Sequence, residues 1–333
     1  MIISRTPLRI SMGGGGTDLP AFYKENGGFV VGTTIQKYLY ITVSNHFQKL
    51  IKLNYSRVEI CKKPSQIKHP IIRESLKKLK INNHIEISSI ADLPAKSGLG
   101  SSGAFSVGLI NGLLSHLGKV ISKNKLAEMA CHIEMDLLRE PVGKQDQYMA
   151  AYGGFICLSI NRNGNVKVRP LKISPESKQD LENNLVYFYT GILRKASDVL
   201  LDQKKALEKK DNSLQSMLEI KKIGYKIKKC LENDNLDEFG RLMHEHWEAK
   251  KKTSQKISNN IFDKYYNIAK NNGALGGKII GAGGGGFFMF YCDSRTSKNN
   301  LRKAFISKGL AEIRVMFEQE GSKIVLNLGG RTN

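Results

Sequence analysis

The pattern of apolar and polar positions changes character several times along the 333 residues. The first quarter carries short runs of strand type at 8–11, 28–31, 38–43 and 58–60, the third of them strictly alternating. Residues 67–80 place Ile71, Ile72, Leu76 and Leu79 on one face with lysines opposite, which predicts an amphipathic helix. A strand is predicted at 85–90. The mostly apolar run 104–117 is too long for one strand and predicts a largely buried helix. A second helix is predicted over 123–139, ended by Pro141 and Gly143, and strands at 154–160 and 166–171 close this half.

The polar segment 174–184 marks an expected division into an N-terminal domain, 1–180, and a C-terminal domain, 181–333. The second half opens on a strand at 185–189 and is helical in period from 197 to 272. A strand at 287–291, a helix at 295–308 and a strand pair at 314–326 finish it. Strands and helices mix without a steady βαβ alternation, so the expected class is α+β in two domains. The length agrees, at a rough ~150 residues per domain.

Composition narrows the picture. A hydrophobic fraction of 41% with 25% charged residues belongs to a folded globular protein and excludes disorder or a fibrous repeat. No stretch approaches the ~20 apolar residues of a membrane helix, and Met1-Ile2-Ile3-Ser4-Arg5 lacks the apolar core of a signal peptide. A cytoplasmic location with no membrane partner is therefore expected. Cys61, Cys131, Cys157, Cys230 and Cys292 are far apart and form no CxxC, which favours reduced core thiols over disulfides or a zinc cluster. The net charge of +22 leaves nucleic acid, an anionic surface or small anionic substrates as partners. Basic residues are not interleaved with aromatics and no nucleic-acid motif occurs, so a nucleic-acid binder is the weaker reading.

The 32 glycines gather in clusters that carry the chemistry. Gly98, Gly100 and Gly103 lie in Pro94-Ala95-Lys96-Ser97-Gly98-Leu99-Gly100-Ser101-Ser102-Gly103-Ala104, between a strand and a buried helix. Glycines there let a backbone approach a ligand closely, and helix N–H groups attract anions, so the segment is a phosphate-loop candidate; a serine-capped turn explains the same residues. The spacing matches GxGxxG, but several strands precede it and a helix lies downstream, which rejects a dinucleotide fold. No GxxxxGK[ST] occurs. Gly13 to Gly16, followed by Thr17-Asp18, and the run Gly281-Ala282-Gly283-Gly284-Gly285-Gly286 each abut a strand-like run and predict ordered tight turns. Glu134, on the 123–139 helix, and Asp146, in Gly143-Lys144-Gln145-Asp146-Gln147, are carboxylates suited to magnesium ligation and to orienting an alcohol; a surface helix residue and a helix N-cap are the plain alternatives.

Taken together these clusters resemble, in order and spacing, the three motifs of the GHMP kinase superfamily, across essentially the whole chain. The first is Thr6-Pro7-Leu8-Arg9-Ile10-Ser11-Met12 through Asp18, the second Pro94 to Ala104, and the third Lys278-Ile279-Ile280-Gly281-Ala282-Gly283 with the glycines after it. The resemblance implies an N-terminal α+β domain with a left-handed βαβ unit, a ferredoxin-like C-terminal domain and an active site between them. It implies ATP phosphates held by Gly98, Gly100, Ser101, Ser102 and Gly103, and Mg2+ held by Ser102 and Glu134. Asp146 matches the base that accepts the substrate hydroxyl proton, and Arg9 the basic residue that orients it. Asp18 occupies a position that binds sugar hydroxyls in galactokinases, and Gly16, Thr17, Thr190, Gly191 and Gly284 complete the substrate-binding set.

Gly14-Gly15-Gly16-Thr17-Asp18-Leu19 stands where galactokinases have Gly-Glu-His-Thr-Asp-Tyr, which disfavours galactose. The segments Tyr189 to Asp198 and His246-Trp247-Glu248-Ala249-Lys250 are similar to those of bacterial D-glycero-D-manno-heptose 7-phosphate kinases. That branch implies a sugar phosphate as second small-molecule substrate, with Arg194 the candidate for its phosphate and Lys195 or Lys250 assisting. Fucose-type or uronic acid kinases are the alternatives within the superfamily, and an inactive scaffold fits poorly with Arg9, Glu134 and Asp146 all present. His244-Glu245-His246 puts its imidazoles on different helix faces, which disfavours zinc; Trp247 reads as packing, and lysine runs such as 250–252 as exposed helix faces.

Overall fold

The computed structural model describes residues 1–193, 196–208 and 212–328. In chain order the first part comprises β1 (Ile2–Gly13), α1 (Pro20–Asn26), β2 (Gly28–Asn45), β3 (Ile51–Asn54), β4 (Val58–Cys61), α2 (Pro70–Leu79), β5 (Ile85–Ala91), α3 (Ser101–His116), α4 (Lys123–Cys131), α5 (Gln145–Tyr152), β6 (Ile156–Ile160) and β7 (Val166–Pro170). After α6 (Pro175–Asn184) come β8 (Leu185–Tyr189), α7 (Ala196–Glu208), α8 (Asn212–Glu232), α9 (Leu236–Lys251), α10 (Asn260–Asn271), β9 (Ala274–Ile279), β10 (Phe287–Cys292), α11 (Arg295–Ile306), β11 (Ala311–Ile313), β12 (Phe317–Glu318) and β13 (Lys323–Asn327).

Two sheets organise these elements. The larger runs β13-β1-β2-β5-β3-β4, with β6 and β12 also pairing to β2 and β7 to β6; the smaller is antiparallel, β11-β8-β10-β9. The α+β class is as expected. Where two strands were predicted at 28–31 and 38–43, one 18-residue strand runs through both. Helices α3 and α5 pack against β1 and β2, and α8 packs on the same two strands. Burial on both faces removes the polar alternation from residues 28–35, so no period marks the strand there.

Helix α3 is likewise buried from Gly103 to Ile110 and again from Gly112 to Leu114, with α2, α4, α5 and the sheet around it. Leu8, Ile10, Ile220, Ile223, Leu242 and Met289 belong to one continuous core that joins both sheets. The polar segment 174–184 is not a linker but helix α6, started by Pro175 and capped by Ser174. We propose the division at 180/181 with one qualification from strand pairing: the tail strands β12 and β13 return to β2 and β1 of the first sheet. All five cysteines are free. Among the described residues no helix is long and apolar enough to cross a membrane.

Candidate active site

Loops from the two sheets meet around a cavity of about 810 Å³ lined by Arg9, Gly98, Gly100, Ser101, Ser102, Glu134 and Asp146, with Ile280, Ala282, Gly283 and Gly285 opposite. The glycines explain how the loops come so close. Gly98 is left-handed, and a Cβ on it would stand 2.6 Å from the Ile280 carbonyl oxygen. A Cβ on Gly281 would overlap the carbonyl of Gly98, and one on Gly286 that of Ser97. The second and third motifs therefore lie backbone against backbone. No side chain caps the start of α3, which leaves its first N–H groups for an anion.

Gly103 has a different part from the one the resemblance implies. It is buried inside α3, and a Cβ there would come 2.5 Å from the Cβ of Asp146. It lets α3 touch α5 and does not line the cavity.

Arg9, on β1, is 4% exposed and donates from Nε to Asp146 Oδ1 at 2.8 Å and from Nη1 to the Gly98 carbonyl at 2.6 Å. One guanidinium thus joins the first motif, the phosphate-loop candidate and the expected base. Asp146 sits in the first turn of α5 with its side chain 26% exposed, so it is reachable from the cavity.

Glu134 is not a surface residue: it is 1% exposed. The helix predicted through 139 stops at Cys131 and widens into π-helical turns over His132–Leu137, which carry Glu134. Ser102 Oγ donates to its Oε2 at 2.6 Å and Gln147 Nε2 to its Oε1 at 2.9 Å. Burial pushes its pKa up, and the two hydrogen bonds pull the other way. A buried carboxylate beside a hydroxyl, both on the cavity wall, is a hard-oxygen donor set that fits a magnesium ion.

The acceptor-side residues are placed otherwise than expected. The Thr17 hydroxyl is buried between the carbonyls of Gly14 and Phe29 and accepts the Phe29 N–H at 3.0 Å. Asp18 accepts from Gly16 N at 3.1 Å, Gln145 N at 3.0 Å and Gln145 Nε2 at 3.2 Å. Both side chains are buried, bond within the protein and do not line the cavity. The Thr190 hydroxyl donates to the Gly286 carbonyl at 3.0 Å, Gly284 N donates to the Ile257 carbonyl, and Gly191 is exposed with open space around it. None of these three lines the cavity. Arg194 and Lys195 lie outside the described residues.

Lys250 also departs from expectation: it is buried and its Nζ donates to the Gly281 carbonyl. Lys278 is buried as well, with Nζ on the Met12 carbonyl at 2.8 Å. Each Nζ is tied to backbone at or next to a glycine turn. Burial, with Lys250 and Arg9 nearby, drives the Lys278 pKa well down. His246 is fully buried beside both lysines, and burial keeps its imidazole neutral. Trp247 is fully buried packing, as predicted.

Sequence reasoning missed the apolar end of the cavity, formed by Leu39, Tyr55, His69, Ile90 and Phe105. His69 stacks on Phe105 with centroids 4.8 Å apart and meets Tyr55 edge-on at 5.0 Å. Its residues come from five separate segments of the chain, so no local spacing could have revealed it. Among the described residues, no group of three or more His, Cys, Asp or Glu is arranged to hold a metal.

Residues 65–154 match the model for the GHMP kinases N terminal domain, and residues 227–311 that for the GHMP kinases C terminal. The chain is 32% identical over 319 residues to the D-glycero-alpha-D-manno-heptose 7-phosphate kinase of Campylobacter jejuni, covering 91% of this chain and 92% of that one. It is 26% identical over 325 residues to the bifunctional fucokinase/GDP-fucose pyrophosphorylase of Arabidopsis thaliana, covering 89% of this chain and 30% of that protein. Among solved structures it is similar to a D-glycero-D-manno-heptose 1-phosphate kinase from Bacteroides thetaiotaomicron, with a TM-score of 0.81 and 25% identity over 99% of this chain and 100% of that one.

Proposed function

The chain belongs to the GHMP kinase family, and on that premise we propose that it is a sugar kinase that phosphorylates the anomeric hydroxyl of D-glycero-D-manno-heptose 7-phosphate. The product is the 1,7-bisphosphate, on the route to GDP-heptose for capsule or surface glycans. The observation that carries the reading is the Arg9–Asp146 pair at 2.8 Å on the wall of the same cavity as Gly98, Ser101, Ser102 and Glu134. The heptose kinase relative gives it its substrate class.

Phosphoryl transfer asks for positioning and charge neutralisation more than covalent chemistry. Arg9 holds Oδ1 of Asp146, which leaves Oδ2 to take the proton of the anomeric hydroxyl. As that proton leaves, the sugar oxygen bonds to the γ-phosphorus of ATP, the bond from that phosphorus to the β,γ-bridging oxygen breaks, and ADP departs. An anomeric hydroxyl is more acidic than an ordinary alcohol, so an aspartate suffices as base. Gly98, Gly100 and the first N–H groups of α3 cradle the phosphates, and Leu39, Tyr55, Ile90 and Phe105 receive the base of the nucleotide. Ser102 and Glu134 hold magnesium, which when bound neutralises phosphate charge. Arg194 takes the 7-phosphate, since a guanidinium matches phosphate with paired hydrogen bonds.

The test is ADP release with magnesium and a panel of heptose 7-phosphate, fucose and uronic acids, followed by phosphorus NMR of the product. An anomeric phosphate formed from heptose 7-phosphate is the expected result. Turnover of fucose alone would move the assignment to the second reading, which the fucokinase relative favours. No turnover of any sugar would reject both.

A further inference from the structure

The apolar end of the cavity carries one polar ring that the proposed reaction leaves unused. His69 is the N-cap residue of α2 and lines the cavity beside Leu39, Tyr55, Ile90 and Phe105. Two ring contacts hold its plane: it stacks on Phe105 with centroids 4.8 Å apart, and Tyr55 meets it edge-on at 5.0 Å. The backbone is fixed as well, since the His69 N–H donates to Glu59 Oε1 at 3.3 Å and the Lys68 N–H to Glu59 Oε2 at 2.7 Å.

The surroundings decide which ring nitrogen carries the hydrogen. Nδ1 is turned back on its own helix and accepts the Ile72 N–H at a long 3.5 Å. Burial pulls the His69 pKa down, against the opposing pull of Glu59, so the ring is neutral at physiological pH. A neutral imidazole whose Nδ1 accepts has its hydrogen on Nε2. That Nε2–H has no hydrogen-bond partner among the described residues, and it can only donate. The Ser56 and Ser89 hydroxyls also line this end, but a hydroxyl rotates to donate or accept and discriminates less. The Tyr55 hydroxyl is taken by Glu59. A purine offers unprotonated ring nitrogens to such a donor, whereas the ring nitrogens of uracil in a nucleotide carry the sugar or a hydrogen.

We propose that His69 is a base-specificity residue, whose Nε2–H donates to an unprotonated ring nitrogen of a purine seated at this end, so that the site prefers ATP to UTP. The proposal rests on the nucleotide reading of the cavity given under the proposed function. Its test is calorimetric binding in the presence of magnesium, which needs no sugar. ATP, its 1-deaza, 3-deaza and 7-deaza analogues and UTP are titrated into the unaltered protein, His69→Phe and His69→Asn. Phe keeps a ring against Phe105 and drops the donor; Asn keeps an oxygen that can cap α2.

In the unaltered protein, ATP binds about 3- to 10-fold more tightly than the one analogue that lacks the contacted nitrogen, and in both variants that difference disappears. The preference for ATP over UTP narrows by about the same factor. An analogue penalty of equal size in all three proteins, or none for any analogue in the unaltered protein, would overturn the proposal. A purely structural role for His69 would weaken ATP and every analogue alike and leave the ratios unchanged, which overturns it too. Ratios as expected in a protein that phosphorylates no sugar would defeat the kinase reading alone, and absence of ATP binding would defeat both. If His69→Phe does not fold, His69→Asn carries the comparison.

Discussion

The two ends of the cleft use their motif residues in opposite ways. At the phosphate end, polar groups are held in place and remain open to the cavity: Ser102 and Glu134 are joined to each other, and Arg9 and Asp146 to each other, all on its wall. The residues that the resemblance assigned to the acceptor instead bond within the protein, Thr17 to Gly14 and Phe29, Asp18 to Gly16 and Gln145, and Thr190 to Gly286. A motif can therefore mark ligand contacts at one end of a site and scaffold at the other. We propose that Arg194, outside the three motifs, contributes to specificity for the acceptor.

The largest expected effect lies at the phosphate end. Asp146→Asn should lower kcat by about 10³-fold or more while ATP affinity, read by calorimetry, stays within a few-fold. Near-normal turnover would remove Asp146 as base and dissolve the contrast. Next comes a matched pair of glycine substitutions. Gly286→Ala adds a Cβ in a left-handed conformation against the Ser97 carbonyl, whereas Gly191→Ala adds one, also left-handed, into open space. Denaturant unfolding should show a loss of about 3 kcal/mol for the first and about 1 kcal/mol for the second, with ATP binding weakened only by the first. Equal losses would mean that the two ends are packed alike.

Arg194→Ala should raise the KM for heptose 7-phosphate about 10- to 100-fold and leave that for ATP alone; a parallel rise in both would place Arg194 at the phosphate end instead. The smallest effect is in pH dependence. Burial raises the Glu134 pKa above its unfolded value, so the stability of the protonated form is complete below the ordinary carboxylate range and is lost as pH rises through the raised value. Melting temperatures should therefore show the unaltered protein falling behind Glu134→Gln by a few degrees from acid to neutral pH, with magnesium closing the gap. A constant gap across pH would show that the Glu134 pKa is the same in the folded and the unfolded chain.

Legibility followed the physical origin of each signal. Helices with one wet face, such as α2 and α11, are readable because exposure writes a 3.6-residue period into the chain. The middle of β2, buried on both faces, has no period to read, and the strand was divided. The π-helical turns at Glu134 carry no distinctive local spacing, yet they turn an apparent surface carboxylate inward. Lys250 looked like one of many exposed lysines, and only the approach of the 281–286 loop made it internal. The charge of +22 was correspondingly a poor guide, because total charge does not say which few cations are buried behind a site.

By itself the sequence determined the mixed class, the glycine turns and the polar groups Arg9, Ser102, Glu134 and Asp146 on the cavity wall, because backbone freedom and side-chain chemistry belong to residues wherever they fold. Tertiary structure alone decided which of those groups are available. A side chain's exposure depends on what packs around it, and Glu134 and Lys250, which the chain alone presents as helix-surface residues, are buried by segments brought to them from elsewhere.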